Sequence, residues 1–193
     1  MQSGRLGDVV RWEPDAYGRL RDAALSLFVE QGFEKTTVAQ IAERAGLNRR
    51  TFFHHFADKR EVVFAGQLAS DDLIATEIRA QPSGTDPLHA AVAGLMLASD
   101  TLYERYREGA IQLGAVIAAS PELQEREMVK RATLADAIAA ALRDRGTSDA
   151  AAVVSGWAAV AMFFVARNRW NQPGNQRPLS DLIDEAHKEF LTA

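Results

Sequence analysis

The sequence predicts an all-α protein in which a three-helix unit with a helix-turn-helix precedes a helical bundle. Apolar residues recur at helical spacing in nearly every segment, and no segment shows the alternation of a half-buried strand. Loop-forming residues cluster in QPSGTDP at 81–87 and in NQPGN at 171–175, which separate helical stretches. A chain of 193 residues is long enough to bury one or two ordinary cores.

Composition excludes several classes of protein and site. The chain has no Cys, which rules out disulfides, thiolate nucleophiles, Cys-ligated zinc and iron–sulfur clusters. Hydrophobic residues make up 47% and charged residues 25%, as in ordinary soluble domains. The first residues contain no apolar run of signal-peptide length, so we expect a cytoplasmic protein that is neither secreted nor embedded in a membrane.

Charge is distributed unevenly along the chain, whose formal net charge is −4. Residues 1–64 hold 10 Lys or Arg against 9 Asp or Glu, whereas residues 65–193 hold 12 against 17. Between residues 45 and 60 the only acid is Asp58, and the cations are Arg49, Arg50, Lys59 and Arg60. Because a local basic patch matters more for phosphate binding than the global charge, we expect one end of the molecule to meet a polyanion.

Three short helices are predicted before residue 58. The first ends at Gly32 and has an apolar face made of Leu20, Ala23, Ala24, Leu27 and Phe28. The second opens at a capping box formed by Thr37 and Gln40. The third follows a turn at Gly46 and has Asn48 as its N-cap.

Longer helices are predicted for the rest of the chain. Asp58 and Glu61 form a second capping-box pattern, which predicts one long helix over 58–79. One apolar face continues over 88–106, and Pro121 starts a helix that ends near residue 146 with an inner face of Leu134, Ile138, Ala141 and Leu142. The last helix is amphipathic, with an apolar face of Leu179, Ile183, Ala186 and Phe190.

The uncharged segment 150–166 is predicted to be a helix that is apolar on nearly every side. Its length is marginal for a bilayer, and the charged residues Asp149 and Arg167 flank it. A helix buried between neighbours, or across a dimer interface, is therefore favoured over a membrane span.

Two short helices joined by a Gly-containing turn, with Asn-Arg-Arg-Thr opening the second, are typical of a helix-turn-helix that presents its second helix to DNA. Arg49 and Arg50 each carry a planar fork that matches guanine O6 and N7. Thr51 can contact a base edge, a thymine methyl or a phosphate, and Thr37 lies at a helix N-terminus, which favours a phosphate. Further cations are suited to the DNA backbone across the groove: His54, His55 and Lys59.

The segment TTVAQIAERAGLNRRTFFHHFADKREVVF at 36–64 resembles the helix-turn-helix signature of the TetR family of bacterial transcriptional regulators. Members of that family are all-helical homodimers, usually repressors, whose variable C-terminal domain binds a small molecule and forms the dimer through its last two helices. The resemblance implies a DNA-binding domain at 1–62, in which residues 1–14 form a flexible arm, and an effector-binding and dimerisation domain at 63–193.

The DNA-contacting roles of the family carry over to the matching positions Thr37, Arg49, Arg50, Thr51, His55 and Lys59. The predicted DNA-contacting set is completed by Asn48, Phe53 and His54. Arg50 stands where the family commonly has Gly, so it adds a donor and implies a different base preference. Phe53 stands where a phosphate-binding Tyr is common, so one phosphate contact is either absent or replaced by packing on a sugar.

Several of these residues also have structural interpretations. Phe52 and Phe56 are predicted to be core residues rather than stacking platforms for bases. Arg5 and Arg11 of the arm could reach a minor groove, but a frayed terminus is the favoured interpretation. The two adjacent histidines diverge by about 100° on a helix, so no metal site is predicted.

Aromatic and other apolar residues of the second part could line an effector pocket: Met96, Tyr103, Tyr106, Trp157, Met162, Phe163 and Phe164. Their helical spacing is equally typical of a core or an interface. If they line a pocket, they predict a largely apolar effector. The stretch RRTFFHHFADKREVVF also resembles a subgroup of the family associated with acyl-CoA-like ligands.

No enzyme motif is present, since the chain lacks a G-x-S-x-G elbow, an S-x-x-K pair, a Walker loop, an H-E-x-x-H pair and a dinucleotide-binding glycine pattern. The acidic residues of the second part have the spacing of a solvated helix face, so we predict no catalytic residue and no cofactor. The sequence predicts a ligand-responsive repressor that binds a palindromic DNA operator as a homodimer, with the long helix after Asp58 transmitting the ligand signal. The alternatives are an activator and a binding module of the same fold that no longer contacts DNA.

Overall fold

The computed structural model describes residues 15–192, except for the side chain of Leu68, and this part of the chain contains helices and no strand. The predicted all-α class is therefore confirmed for these residues. The arm with Arg5 and Arg11 lies outside the described residues. The α-helices are α1 (Ala16–Gln31), α2 (Val38–Arg44), α3 (Arg49–His55), α4 (Lys59–Val63), α5 (Gln67–Ala80), α6 (Pro87–Ala98), α7 (Arg107–Ala118), α8 (Pro121–Asp144), α9 (Asp149–Trp170) and α10 (Leu179–Thr192).

Helices α1 to α4 form the N-terminal unit around one apolar core. The predicted inner face of α1 is buried, and Phe52 and Phe56 are buried with it, as expected. This core also takes in three residues from the second half of the chain: Val116, Ile117 and Leu123. The end of α7 and the start of α8 are therefore packed into the base of the N-terminal unit, which fixes one unit against the other.

Helices α5, α6, α8, α9 and α10 form the C-terminal unit around a second core. Two glycines allow close backbone contact in it, because a Cβ on Gly156 of α9 would lie 2.7 Å from the carbonyl oxygen of Ala135 in α8. A Cβ on Gly94 of α6 would lie 2.9 Å from the carbonyl oxygen of Ile74 in α5. Larger side chains at these two positions would separate the helix pairs that build the bundle.

The long helix predicted over 58–79 is wrong, because the structure has two helices there. Helix α4 ends at Val63, and α5 begins after Gly66, which has φ +91°. The freed backbone amide of Gly66 donates to the hydroxyl oxygen of Tyr17 in α1 at 2.8 Å. This contact with α1 satisfies the amide that the break leaves without a helical partner. No continuous helix therefore transmits motion from α4 to α5.

The single helix predicted over 88–106 is also wrong. Helix α6 ends at Ala98, and a π-helical turn and a 3₁₀ turn follow over 99–106 before α7, which periodicity did not predict. The buried hydroxyl of Ser99 donates to the carbonyl oxygen of Leu95 at 2.7 Å, a bond that competes with regular helix. The Glu104 carboxylate accepts from the indole of Trp170 at 2.8 Å and from the backbone amide of Leu179 at 2.7 Å. Contacts with distant residues thus override the local pattern.

Helix α9 is the one helix among residues 15–192 that is long and apolar enough to span a membrane, and 39% of its most apolar window is buried inside the chain. Residues from Ala152 to Trp170 on its inner side belong to the core of the C-terminal unit. Its outer side carries an exposed stripe, which we call the α9 stripe: Ala150, Val153, Val154, Trp157, Ala161 and Val165. These residues follow the i, i+3, i+4 spacing of one helix face.

Candidate nucleic-acid interface

The turn between α2 and α3 has the predicted local geometry. Thr37 accepts from the backbone amide of Gln40 at 3.3 Å, and the Gln40 side chain accepts from the backbone amide of Thr37 at 2.9 Å, which completes the capping box. Gly46 has φ +66°, the left-handed conformation that the turn needs. Asn48 Oδ1 accepts from the backbone amide of Thr51 at 2.9 Å and caps α3. The helix-turn-helix is therefore fixed by bonds between near neighbours.

The first turn of α3 presents its cations to solvent. Arg49 and Arg50 are exposed, and neither guanidinium makes an ion pair or a hydrogen bond with any residue between 15 and 192. The hydroxyl of Thr51 donates to Asn48 Oδ1 at 3.2 Å, so this oxygen of Asn48 is fully used by the cap. The structure thus places four of the predicted DNA-contacting residues together: Asn48, Arg49, Arg50 and Thr51.

Other cations near this surface are engaged within the fold. Arg44 forms a bidentate pair with Glu30 at 2.8 and 2.9 Å, and this bonding holds the pKa of Glu30 at about 2. The guanidinium of Arg60 bonds to the Asp58 carboxylate through Nε at 3.0 Å and holds the pKa of that carboxyl below its usual range. Paired cations contribute little net field, so the positive potential of the surface comes chiefly from the unpaired ones.

The end of α3 is aromatic. Phe53 is 51% exposed, whereas its neighbour Phe52 is completely buried. His54 and His55 are exposed, their ring centroids are 5.1 Å apart, and His55 lies 6.2 Å from the ring of Tyr17. No group of three metal-ligating side chains occurs among the described residues. This end of the surface therefore offers flat rings and imidazoles to a partner.

Lys59 is only half exposed, because its ammonium donates to the carbonyl oxygen of Phe33 at 2.7 Å and lies 3.9 Å from the centroid of the Phe33 ring. An ammonium has three donors, so two are left for a phosphate. The predicted contact of Lys59 with DNA stays a prediction, and so do those of the rest of the predicted set: Thr37, Asn48, Arg49, Arg50, Thr51, Phe53, His54 and His55.

Sequence reasoning missed two residues at this surface. Lys35 is exposed two positions before the cap Thr37, and extending the basic patch back to that loop would have found it. Tyr17 of α1 stacks on Phe56 with ring centroids 4.9 Å apart and holds the break after α4 through Gly66. No sequence signal indicated the role of Tyr17, because its partners lie at least 38 positions away.

The predicted effector residues separate into two sets. Met162 and Phe163 are buried in the core of the C-terminal unit, and Met96, Tyr103 and Phe164 pack against it. Tyr106 and Trp157 are 51% and 47% exposed, so the core of the C-terminal unit does not enclose them, and their role in an effector pocket stays a prediction. Tyr106 lies on the 3₁₀ turn, and Trp157 belongs to the α9 stripe. Because α9 is apolar on nearly every side, its sequence did not distinguish the buried face from the exposed one.

The acidic side chains of the second part were predicted to lie on a solvated helix face. This prediction is wrong for two of them. Glu127 is buried between two arginines, and Asp71 is half buried, which raises its pKa to about 6. The spacing of Glu127 and Arg131 (i, i+4) could have predicted the first of these ion pairs. The second partner, Arg167, is 40 positions away from Glu127 and could not be predicted from the local sequence.

A second ion cluster joins the two units. Glu61 of α4 accepts from Nε of Arg126 at 2.7 Å and from the ammonium of Lys130 at 3.1 Å, both on α8. These side chains are only partly exposed, so the pairs are weakly screened. Glu61 therefore completes no capping box, since its carboxylate reaches α8 instead of its own helix.

Comparisons with known proteins agree with this arrangement. Two family models match the chain: the bacterial regulatory proteins of the tetR family, over residues 20–65, and the MftR C-terminal domain, over residues 79–192. The second match alone covers more than half of the chain. The chain belongs to the TetR family.

Several curated relatives of this TetR protein are transcriptional regulators. TcmR of Streptomyces glaucescens is 46% identical over 67 residues, which cover 35% of this chain and 30% of TcmR. MftR of Mycobacterium tuberculosis is 29% identical over 157 residues, which cover 78% of this chain and 77% of MftR. The alignment thus spans about a third of the first relative and about three quarters of the second.

Solved TetR regulators share the fold. The structure of FadR from Thermus thermophilus in complex with lauroyl-CoA has a TM-score of 0.55 at 22% identity, and the match covers 91% of this chain and 93% of FadR. The complex of SmeT with triclosan has a TM-score of 0.60 at 19% identity and 90% coverage of both chains. At this level of identity the likeness shows the helical architecture alone.

Proposed function

We propose that this TetR regulator is a ligand-responsive repressor that binds a palindromic double-stranded DNA operator as a homodimer and is released by a small molecule. The observation that supports this function most directly is the pair of exposed, unpaired guanidiniums of Arg49 and Arg50 on the first turn of a capped recognition helix. Their planar forks match the acceptors of guanine in the major groove. The other predicted contacts would hold the helix in register through phosphates.

The homodimer would form through α9 and α10. The α9 stripe carries four exposed large apolar side chains, Val153, Val154, Trp157 and Val165, and α10 adds Phe190 and Leu191 near its end. A soluble chain must cover such a face, and a second copy covers it symmetrically. This pairing would set the two recognition helices about 34–36 Å apart, or at another spacing that the grooves of one duplex permit.

The ligand signal would pass through packed contacts instead of one continuous helix. The effector would bind in the C-terminal unit near Tyr103, Phe163 and Phe164, between α8 and α9. A shift of α8 would then move α4 through the pairs of Glu61 with Arg126 and Lys130. A ligand that favours a different separation of the recognition helices would deplete the DNA-binding state, and DNA would weaken ligand binding by the same factor.

Other properties complete the proposal. We expect a cytoplasmic protein without enzymatic activity and without a bound cofactor other than the effector. An acyl-CoA-like effector stays a prediction, and so do the domain boundary between residues 62 and 63 and the flexible arm at 1–14. A transcriptional reporter under the operator distinguishes the two modes of regulation, because deletion of a repressor raises expression and deletion of an activator lowers it.

The test of the function is fluorescence anisotropy of the purified protein on duplex DNA from upstream of its own gene, with a scrambled duplex as reference. Selective binding that weakens steeply with salt, at two protomers per duplex, is expected. Arg143→Ala is the matched control, because it removes an exposed arginine at the far end of α8 and should leave binding unchanged. Failure to enrich any sequence from random duplexes would overturn DNA recognition and favour the module that no longer contacts DNA.

A further inference from the structure

Three charged side chains lie together inside the C-terminal unit, and we call them the interior ion cluster: Glu127, Arg131 and Arg167. Glu127 is 9% exposed, and its Oε1 accepts from Arg167 at 2.6 Å while its Oε2 accepts from Arg131 at 2.7 Å. Both guanidiniums lie over the ring of Phe164, with their Cζ atoms 3.6 Å (Arg131) and 5.0 Å (Arg167) from its centroid. The cluster thus joins α8 to α9 around one aromatic ring.

The interior ion cluster has one more positive than negative charge. Asp71 also acts on Tyr103 beside the cluster, and the ammonium of Lys130, which attracts Asp71, is already paired with Glu61, so the wider surroundings are closer to neutral. The partly buried Tyr103 is subject to the charges of Arg167, Asp71 and Glu127, so it borders the cluster. The side chains of Arg131 and Arg167 are 30% and 19% exposed, so solvent compensates part of their charge. Ion clusters of this kind seldom add net stability over apolar packing.

One donor of the cluster has no partner. Nε of Arg131 is shielded from solvent and makes no hydrogen bond within residues 15–192. A guanidinium has its donors in a fixed fork that matches the two oxygens of a carboxylate, and a buried donor without an acceptor is costly. The donor geometry therefore favours an additional acceptor at Arg131.

The surroundings of the cluster are apolar on the side of α6 and α7. The rings of Tyr103 and Phe163 meet edge to face, with centroids 5.6 Å apart, and Met96 and Ile111 are partly buried beside the same core. The segment over 99–106, where the helix changes to π and 3₁₀ geometry, carries Tyr103. Such interruptions are frequent at functional sites.

We propose that the interior ion cluster binds the carboxylate of an organic acid whose apolar body lies against Tyr103 and Phe163. The acid supplies the acceptor that Nε of Arg131 lacks. This inference rests on the proposed ligand response and narrows the predicted apolar effector to an anionic amphiphile. The competing explanation is a purely structural cluster that holds α8 against α9, and that explanation predicts no preference for acids.

The experiment compares acids with their primary amides, which keep the same apolar body without the charge. Hexanoate, decanoate, phenylacetate and naphthoate are each paired with the corresponding amide, and the melting temperature of the full chain is measured without DNA at neutral pH. At least one acid should raise the melting temperature in a concentration-dependent way and bind about tenfold or more tightly than its amide. Equal effects of acids and amides, or no stabilisation by any acid, overturn the proposal.

Variants separate binding from folding. Arg131→Lys keeps the charge next to Glu127 and removes the planar fork, so the chain should fold while the affinity for the acid falls roughly tenfold and that for the amide does not change. Arg143→Lys makes the same substitution at an exposed position on the same helix and should bind the acid as the unmodified chain does. An unchanged acid affinity in Arg131→Lys contradicts the assignment.

The same pairs of compounds are then added to the protein–operator complex. Release by the acid and not by its amide links the interior ion cluster to regulation. If no duplex is bound selectively, the proposed function fails, whereas the melting experiment still decides whether the cluster binds acids.

Discussion

The N-terminal unit and the C-terminal unit place charged and aromatic side chains in opposite ways. The N-terminal unit exposes the cations Arg49 and Arg50 and buries the ring of Phe52. The C-terminal unit buries Glu127 between two arginines and leaves Trp157 in solvent. Both departures are unfavourable for an isolated chain, as expected if the α9 stripe forms the proposed dimer and the interior ion cluster binds the proposed acid.

The difference follows from how each surface is built. A DNA-contacting surface can be made from one short run of residues, because a single helix turn presents adjacent side chains to a groove. A dimer face and a ligand site need residues from several helices, so they are assembled by packing. The N-terminal unit can therefore be tested with single substitutions at its surface, and the C-terminal unit must be tested through the pairing of distant residues.

The largest effect is expected from breaking the α9 stripe. Trp157→Asp places a charge in the middle of the exposed apolar face, so the dimer should dissociate into folded monomers. Loss of the second half-site contact should weaken operator binding by roughly 10²- to 10⁴-fold, because the two recognition helices no longer act together. Analytical ultracentrifugation measures the dimer, and anisotropy measures the binding.

Met128→Asp is the control for this substitution, since Met128 is another exposed apolar side chain, on α8 and outside the α9 stripe. It should remain dimeric and bind the operator normally. A Trp157→Asp protein that is still dimeric would show that α9 does not form the interface. An unfolded Trp157→Asp protein, detected by circular dichroism, calls for the milder Val154→Ser, for which a raised dimer dissociation constant is expected.

The next effect concerns the exposed cations of the N-terminal unit. Arg49→Ala and Arg50→Ala should each weaken binding to the best operator by about 1–3 kcal/mol and relax the base preference. Neither side chain has a partner in the described chain, so the melting temperature should not change. A sequence selection on random duplexes measures the preference, and unaltered selectivity in both variants would contradict base recognition by this turn.

The same division explains what could be predicted from the sequence. The caps at Thr37 and Asn48 bond to residues three positions away, so local patterns predicted α2, α3 and the exposed turn between them. Glu61 reaches residues 65 and 69 positions away, and no local pattern reports that distance. The break at Gly66 was missed for a similar reason, because its amide is satisfied by Tyr17 of another helix.

A smaller effect tests whether the two units are joined by the Glu61 cluster. Glu61→Gln removes the charge that Arg126 and Lys130 share, so stability should fall by about 1–2 kcal/mol, between the values for exposed and for buried pairs. Hydrogen exchange should increase in α4 more than in α9. Glu122→Gln is the control, because its pair with Arg60 is looser at 3.5 Å and more exposed. Equal exchange in both variants would mean that apolar packing alone joins the units.

The smallest effect compares one carboxyl from each unit by its pH dependence. Burial raises the pKa of Asp71 to about 6, so the folded chain binds this proton more tightly than the unfolded chain does. Stability therefore falls as pH rises from about 4 to 6, and the penalty is constant above that window. Asp71→Asn should stabilise the chain by about 1 kcal/mol at pH 8, a value reduced for partial solvent screening, and the gain should shrink below pH 6.

Glu30 should respond with the opposite sign, because its hydrogen bonds with Arg44 and Ser26 lower its pKa to about 2. Its contribution is present above the ordinary pKa of a glutamate and disappears as pH falls toward 2, so Glu30→Gln should lose stability at neutral pH. Chemical denaturation of both variants across pH measures the two slopes. If stability changed with pH in the same direction for Glu30 and Asp71, the proposed contrast between the exposed paired charge of the N-terminal unit and the half-buried charge of the C-terminal unit would be wrong.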